Sequence, residues 1–418
     1  MKTKSDWLNK IHQGDALEVL KQMPDNFVDC IITSPPYWGL RYYGESTFKV
    51  WDGDPNCEHE WQFQEGMRYR GGTKNSIGNF KDHLHFTQRF AFCKKCGAWY
   101  GQLGLEPTLE MYIDHLLQIT AELKRVLKDT GVMYWNHGDC YGGSNCGRYD
   151  WRETASISRS ELYRYKPSPQ SKLKPKCLAL QNYRLILRMI DEQDWILRNI
   201  VIWYKPNHLP DSVKDRFTRA YEPIFMLVKN KKYWFDLDAV RVEYESDTMI
   251  ELLNGHNSEE FIIGKNPGDL WTIPVQPFKD AHFATFPPRL IEPMIKSSCP
   301  RWVCKKCGKP RERIIERTKV IKQSEPKPYT ADTEFITHGT YDSTLHAVAI
   351  RKCIGWTDCG CNAGWEAGIV LDPFMGSGTV AIVAQRLGRN WIGIELNPDY
   401  IEIANKRLEQ EFGLFHNK

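Results

Sequence analysis

Apolar positions along the chain fall into two rhythms. Short apolar runs at Val28–Ile32, Val132–Trp135, Ile200–Trp203, Ile224–Val228, Gly368–Leu371 and Trp391–Glu395 predict buried strands. Between them, helical spacing recurs. Leu109, Ile113, Leu116, Leu123 and Leu127 line one face of a helix that opens behind Pro107-Thr108 and stops before Gly131. Cys177–Ile190, Thr379–Leu387 and Pro398–Gln410 read as further helices. Strands alternating with helices predict an α/β fold with a mostly parallel sheet.

Three stretches break the rhythm: 45–101, rich in Trp, His, Cys and Gly; 141–176, polar and basic; and 299–361, bracketed by cysteines. We read 1–44, 102–140, 177–298 and 362–418 as four pieces of one core. On that reading 177–298 includes a target-recognition segment, 45–101 and 299–361 are metal-binding insertions, and 141–176 is a basic loop. The composition agrees, since 41% hydrophobic and 26% charged residues in 418 is ordinary globular usage. No apolar run approaches a membrane span and the N-terminus lacks a signal-type stretch, so the expectation is an intracellular protein with no membrane partner. Thirteen cysteines in a reducing compartment argue for metal ligation rather than disulfides.

Residues 368–396 predict a strand, a glycine turn, a helix and a second strand closed by Glu395. Gly376, Gly378 and Ala381 fit G-x-G-x-x-G/A, a turn that lets backbone approach a ligand at a helix N-terminus. Glu395 stands where a carboxylate accepts from two ribose hydroxyls. A dinucleotide shares that geometry, but Asp372 would crowd its pyrophosphate. An acid there suits the sulfonium and ammonium of S-adenosyl-L-methionine.

Directly after the first strand comes Ser34-Pro35-Pro36-Tyr37. This tetrapeptide resembles the [DNS]-P-P-[YFW] mark of the amino-methylating DNA methyltransferases. Its position ahead of DPFMGSGT (Asp372–Thr379) resembles the circularly permuted β group of that family. Asp15 resembles the acid that contacts the cofactor adenine. His282–Ile295, with Phe286, resembles the segment beside the methionine moiety, and 200–229 resembles the family's central region.

The resemblance implies a Rossmann-like S-adenosyl-L-methionine-dependent fold. Asp15, Phe286, Asp372, Phe374, Gly376, Ser377, Gly378, Thr379 and Glu395 would hold the cofactor, and Ser34, Pro35, Pro36 and Tyr37 would be catalytic. It also implies double-stranded DNA as substrate, a cognate restriction enzyme as partner, and a prokaryotic or phage-encoded cytoplasmic setting.

The chemistry supports the tetrapeptide independently. An exocyclic amine is a poor nucleophile because its lone pair is conjugated with the ring. Accepting its hydrogens on the Ser34 hydroxyl and on the Ser34 or Pro35 carbonyl would polarise it. The prolines fix φ and offer no competing N–H, and Tyr37 offers a face to an extruded base. Carbon-5 methylation would need a Pro-Cys dipeptide, which the chain lacks. In the family a leading Ser is seen more with N4-cytosine enzymes, and Asp or Asn more with N6-adenine enzymes. The expected product is therefore N4-methylcytosine, with N6-methyladenine as the alternative. A zinc-dependent nucleic-acid-binding protein with an inactive core is a second alternative, and an NAD-linked oxidoreductase the weakest rival.

Cys57 and His59 with Cys93 and Cys96 form one candidate zinc set, and Cys304 and Cys307 with Cys359 and Cys361 another. Cys299 and Cys353 flank the second set as possible substitutes. Cys30, Cys140, Cys146 and Cys177 read as ordinary thiols, Cys30 and Cys177 as buried ones.

The net charge of +4 says little, but its distribution says more. Arg164, Lys166, Lys172, Lys174, Lys176, Arg184 and Arg188 occur without an acid in 162–190, interleaved with Tyr163, Tyr165 and Tyr183. That pattern suits phosphate contact. A second ribbon of Arg301, Lys305, Lys306, Lys309, Arg311 and Arg313 is expected to join a target-recognition surface. Trp38 is expected near the target base.

Overall fold

The computed structural model describes residues 3–39, 43–70, 85–142, 173–243, 264–276, 286–323 and 345–413. Its frame is an eight-stranded sheet: β1 (Lys10–Gln13), β2 (Val28–Thr33), β3 (Leu127–Asn136), β4 (Ile196–Tyr204), β5 (Tyr221–Val228), β6 (Leu270–Thr272), β7 (Ile369–Asp372) and β8 (Asn390–Glu395). The spatial order is β1-β8-β7-β2-β3-β5-β4-β6, and β5 alone runs against the other seven. Chain order and sheet order disagree most at β7, which lies near the far end of the chain from β2 yet pairs with it through Val370↔Cys30 and Leu371↔Ile31.

Alternation along the central strands explains the two helical layers. In β2, Ile31 faces α1 (Ala16–Lys21), α2 (Leu109–Val126) and α3 (Gln181–Gln193). Cys30 and Ile32 face α4 (Pro288–Ser298), α5 (Thr379–Arg386) and α6 (Pro398–Phe412). All six residues of β2 are buried, as expected for a strand covered on both faces. Each fully buried aliphatic side chain contributes roughly 1.5–3 kcal/mol, so β2, paired with β7 and β3, anchors the site.

The predicted strands and helices form, with shifted ends. The largest shift is in α3, which begins at Gln181 rather than Cys177. Leu178 bridges Tyr141, Leu180 has φ +54°, and the Asp139 carboxylate accepts from the amides of Leu180 and Gln181, so the chain turns into the helix only there.

The cysteine-rich stretches carry more order than loops. Lys49–Trp51, Trp61–Arg70, His85–Cys93 and Trp99–Gly101 make a four-stranded antiparallel sheet. Trp51 and Trp99 from that sheet stack near the buried His115 of α2, with centroids 4.3 and 5.5 Å away. His115 bridges Glu106 and Asp52 at 2.9 and 3.0 Å, which fastens the sheet to the core. In the last stretch Arg313–Gln323 and Leu345–Trp356 pair antiparallel. Among the described residues no cysteine is in a disulfide, and no helix is long and apolar enough to cross a membrane. Cys30 and Cys140 are buried; Cys177, expected inside, is exposed because it precedes α3 in an open turn. Cys146 and His83 lie outside the described residues.

Candidate active site

The tetrapeptide leaves β2 at the carboxyl end of the sheet, where open α/β folds place their ligands. Ser34 Oγ donates to Tyr37 Oη at 3.1 Å, and Tyr37 Oη donates to Asn136 Oδ1 at 2.9 Å, with Glu222 Oε2 at 3.3 Å as a second acceptor. Lys205 pairs with Glu222 at 2.5 Å. Burial, and then the charge of Glu222, raise the Tyr37 hydroxyl well above its ordinary pKa, so it stays a donor. The ring packs over Gly138, where a Cβ would come 2.6 Å from Tyr37 Cε2. Only glycine admits the ring in this pose.

Beside it, β7 ends in Asp372. Thr33 Oγ1 donates to Asp372 Oδ1 at 2.8 Å, and the Phe374 amide donates to the same oxygen at 3.1 Å. Burial pushes this carboxyl up to about 7, and Glu395 adds a smaller push. A buried carboxyl that resists ionisation favours a cationic neighbour. Glu395 closes β8 and accepts the amides of Gly376 and Asn397, each at 2.8 Å. Gly376 and Gly378 have φ of +51° and +80°, which the turn requires. From α6, Arg407 donates to Ser377 O at 2.5 Å, to Ser377 Oγ at 2.8 Å and to Thr379 Oγ1 at 3.1 Å. Asp15 caps α1 through the Glu18 amide and pairs with Lys49 at 2.5 Å.

These groups share one cleft of about 970 Å³. Ser34, Pro35, Pro36, Tyr37, Asp15, Phe286, Asp372, Phe374, Gly376, Ser377, Thr379 and Glu395 all line it. Gly378 stands behind, where a Cβ would meet Ala404 and Met375 at 3.1 Å. Trp38 is a correction. It is buried away from the cleft, its amide donating to Gln181 Oε1 and its indole to Glu106 O, so it anchors the loop instead of facing the cavity. Sequence reasoning missed Asn136, Gly138, Lys205, Glu222 and Arg407. Their only signal was a place at the carboxyl ends of β3 and β4, at the start of β5, or on α6.

A strand-end tetrapeptide beside a glycine turn and two buried carboxylates is matched by known proteins. A family profile described as DNA methylase, of the N6/N4 type, matches residues 28–302 and 360–406. The chain belongs to the N6/N4 DNA methylase family. It is 30% identical to the Type II methyltransferase M.Cfr9I of Citrobacter freundii over 96% of this chain and 88% of that one. It is 29% identical to the Type II methyltransferase M.XycI of Xanthomonas campestris pv. cyanopsidis over 96% and 87%. With M.SmaI of Serratia marcescens the identity is 28% over 96% and 90%. The methylase is thus an amino-methyltransferase of the N4/N6 type, acting on DNA.

Outside its cleft the methylase gathers two four-residue clusters. The Sγ atoms of Cys57, Cys93 and Cys96 and a ring nitrogen of His59 lie within 4.8 Å of one another; so do the Sγ atoms of Cys304, Cys307, Cys359 and Cys361. Each CxxC is a tight knuckle. Lys95 N donates to Cys93 Sγ and Lys306 N to Cys304 Sγ, both at 3.4 Å, and glycines with φ +76° and +70° follow. Backbone donors pull the Cys304 thiol down to about 6, toward the thiolate a metal takes. Cys299 and Cys353 lie outside the second cluster.

The charged segments are described only in part. Arg188 is neutralised by Asp114 and Glu192, and Lys176 pairs with Asp215. Tyr183 lines the cleft, while Tyr163, Tyr165, Arg164, Lys166 and Lys172 fall outside the described residues. The second ribbon sits at the opposite end of the strands. There Arg313 pairs with Asp236, in the segment that follows β5, and shares a cavity with Arg389, just before β8. It therefore does not rim the cleft.

Proposed function

We propose that this methylase transfers a methyl group from S-adenosyl-L-methionine to the N4 amine of a cytosine extruded from double-stranded DNA. The relatives' names support a place as the modification enzyme of a type II restriction system, with a cognate restriction enzyme as partner and a bacterial cytoplasm as setting. One observation carries the reading: the Thr33–Asp372 hydrogen bond, which sets tetrapeptide and glycine turn edge to edge in a single cleft. A positive cofactor fits here, since Asp372 is a buried carboxyl with no ion-pair partner among the described residues and the turn around Gly376 and Gly378 admits close backbone approach. When bound, the cofactor supplies an electrophilic methyl.

The chain does the rest. The Ser34 hydroxyl and the Pro35 carbonyl accept the amine hydrogens and drive the nitrogen toward sp³ geometry. Tyr37 stacks on the base, its hydroxyl held by Asn136. Asp372 and Phe374 would flank the methionine moiety with Phe286, Glu395 would take the ribose, and Asp15 would meet the adenine. Positioning and water exclusion supply the rate, with no covalent intermediate. A leading Ser34 supports cytosine over adenine.

Both clusters, one of three thiols and an imidazole and the other of four thiols, offer the four ligands that suit structural zinc. Incubating purified protein with S-adenosyl-L-methionine and DNA, then resolving nucleosides by mass spectrometry, tests the reading. N4-methylcytosine is expected. N6-methyladenine would reassign the base, and no methylated nucleoside on any DNA would favour an inactive, nucleic-acid-binding core.

A further inference from the structure

The carbonyl of Pro36 is held from behind by hydrogen bonds whose direction is forced at each link. Trp135 Nε1–H, which can only donate, faces His137 Nδ1 at 3.4 Å. Burial pushes the His137 imidazole down to about 3, so it is neutral at physiological pH. A neutral ring that accepts on Nδ1 carries its hydrogen on Nε2. That nitrogen lies 3.1 Å from Tyr112 Oη, and Tyr112 Oη donates to Pro36 O at 2.7 Å. Trp135, His137 and Tyr112 are all fully buried, and they come from two elements, β3 with its outgoing turn and α2.

The covalent structure leaves one gap that this chain closes. In Ser34-Pro35-Pro36-Tyr37 the rings lock φ of both prolines. Each residue before a proline is confined in ψ as well, which covers Ser34 and Pro35. The ψ of Pro36 is the backbone torsion of the two prolines that covalent structure leaves open, and it sets the direction in which the chain enters Tyr37. Tyr112 fixes that peptide plane through its oxygen. On the other side Gly104 backs it, where a Cβ would lie 3.1 Å from Tyr37 O and 3.4 Å from Pro36 O.

We propose that Tyr112 and His137 are positioning residues for methyl transfer, setting the Pro36–Tyr37 peptide and hence the pose of the base against Ser34 and Pro35. The inference rests on reading Ser34–Tyr37 as the amine-binding tetrapeptide. Neither residue touches the reacting atoms; Tyr112 acts through Pro36, and His137 acts through Tyr112 and through its ring contact with Tyr37, 5.2 Å between centroids.

The test uses the full-length protein and Tyr112→Phe, which keeps the buried ring and removes the hydroxyl that donates to Pro36 and accepts from His137. Because misplacement of about 1 Å costs on the order of a hundredfold in rate, kcat should fall about ten- to a hundredfold. The melting temperature should fall only by the few degrees that two lost hydrogen bonds imply, leaving the protein folded at the assay temperature, and the affinity for S-adenosyl-L-homocysteine should hold. His137→Leu should lose rate likewise, and His137→Gln, which restores an N–H at the ε position, should recover most of it. An unchanged kcat in Tyr112→Phe overturns the proposal, as does a loss of rate that only tracks lost stability or cofactor affinity. Ser34→Ala is the control for the underlying reading. If it keeps its rate, the tetrapeptide assignment fails; if it is inactive while Tyr112→Phe is not, only the positioning role fails.

Discussion

Thr33 donates its hydroxyl hydrogen to Asp372 inside the core, at 2.8 Å, across 339 positions of chain. The bond joins the last residue of β2 to the last residue of β7, adjacent parallel strands, so the two chemistries of the cleft share one edge. It also sets the electrostatics. The donor from Thr33 favours the Asp372 carboxylate, burial opposes it, and burial wins, leaving the carboxyl near 7.

That balance predicts opposite effects of Asp372→Asn on stability and on binding. In the unfolded chain Asp372 ionises near its ordinary value, well below the folded value of about 7. Between the two the unfolded state has shed its proton and the folded state has not, so stability falls as pH rises through that window. Asparagine keeps the oxygen that accepts from Thr33 and removes the ionisation. Thermal melts at about pH 8 should show the variant more stable than wild type. Its affinity for S-adenosyl-L-methionine should drop about tenfold, the effect of one lost charge partner near 1.4 kcal/mol. In the wild type, calorimetry should show that affinity rising with pH through 7, because the cationic ligand prefers the carboxylate.

Gly138→Ala should abolish transfer and spare the cofactor. The added Cβ would sit 2.6 Å from the Tyr37 ring, which must then leave its place beside His137. Methyl incorporation should fall at least about a hundredfold, the cost of a displaced contact group. Equilibrium binding of S-adenosyl-L-homocysteine should be unchanged.

Arg407→Met should act on the other half of the cleft. Arg407 reaches from α6 to the carbonyl and hydroxyl of Ser377 and to Thr379. Without it the turn loses charge-assisted hydrogen bonds worth roughly 1.5–3 kcal/mol, part of which appears as weaker cofactor binding. Titration should show a Kd raised by about tenfold, with the rate at saturating cofactor little altered.

The cysteine clusters predict two zinc ions per chain by elemental analysis. Cys96→Ala and Cys307→Ala should each remove one. Loss at the first cluster should also loosen the stack of Trp51 and Trp99 about His115, read as a red shift in tryptophan emission and a lower melting temperature.

Much of the site was legible in the residues themselves. The run Val28–Ile32 leading into Ser34-Pro35-Pro36-Tyr37, the glycines before Thr379 and the acid ending β8 each carry their chemistry in a few consecutive positions. The CxxC knuckles are similar, since a Cys-x-x-Cys-Gly turn is local geometry. Tryptophan was the least legible. Trp7, Trp51, Trp99, Trp135 and Trp195 are among the largest fully buried side chains, serving as core, clamp and hydrogen-bond donor, and none of these roles has a sequence signature.

Covalent chemistry and short-range periodicity act over a handful of residues, so the chain alone specified its strands, its glycine turn, its cysteine knuckles and the family resemblance they carry. Which groups face one another was decided by the order β7-β2-β3-β5 in the sheet, set by burial of both strand faces between helices far apart in sequence. Only that packing brings Glu222 and Asn136 to Tyr37, Arg407 to Ser377 and Tyr112 to Pro36. It also consumed a charge that looked free: Arg188 meets Asp114 only because α2 and α3 pack together, whereas its other partner, Glu192, stands one helical turn on.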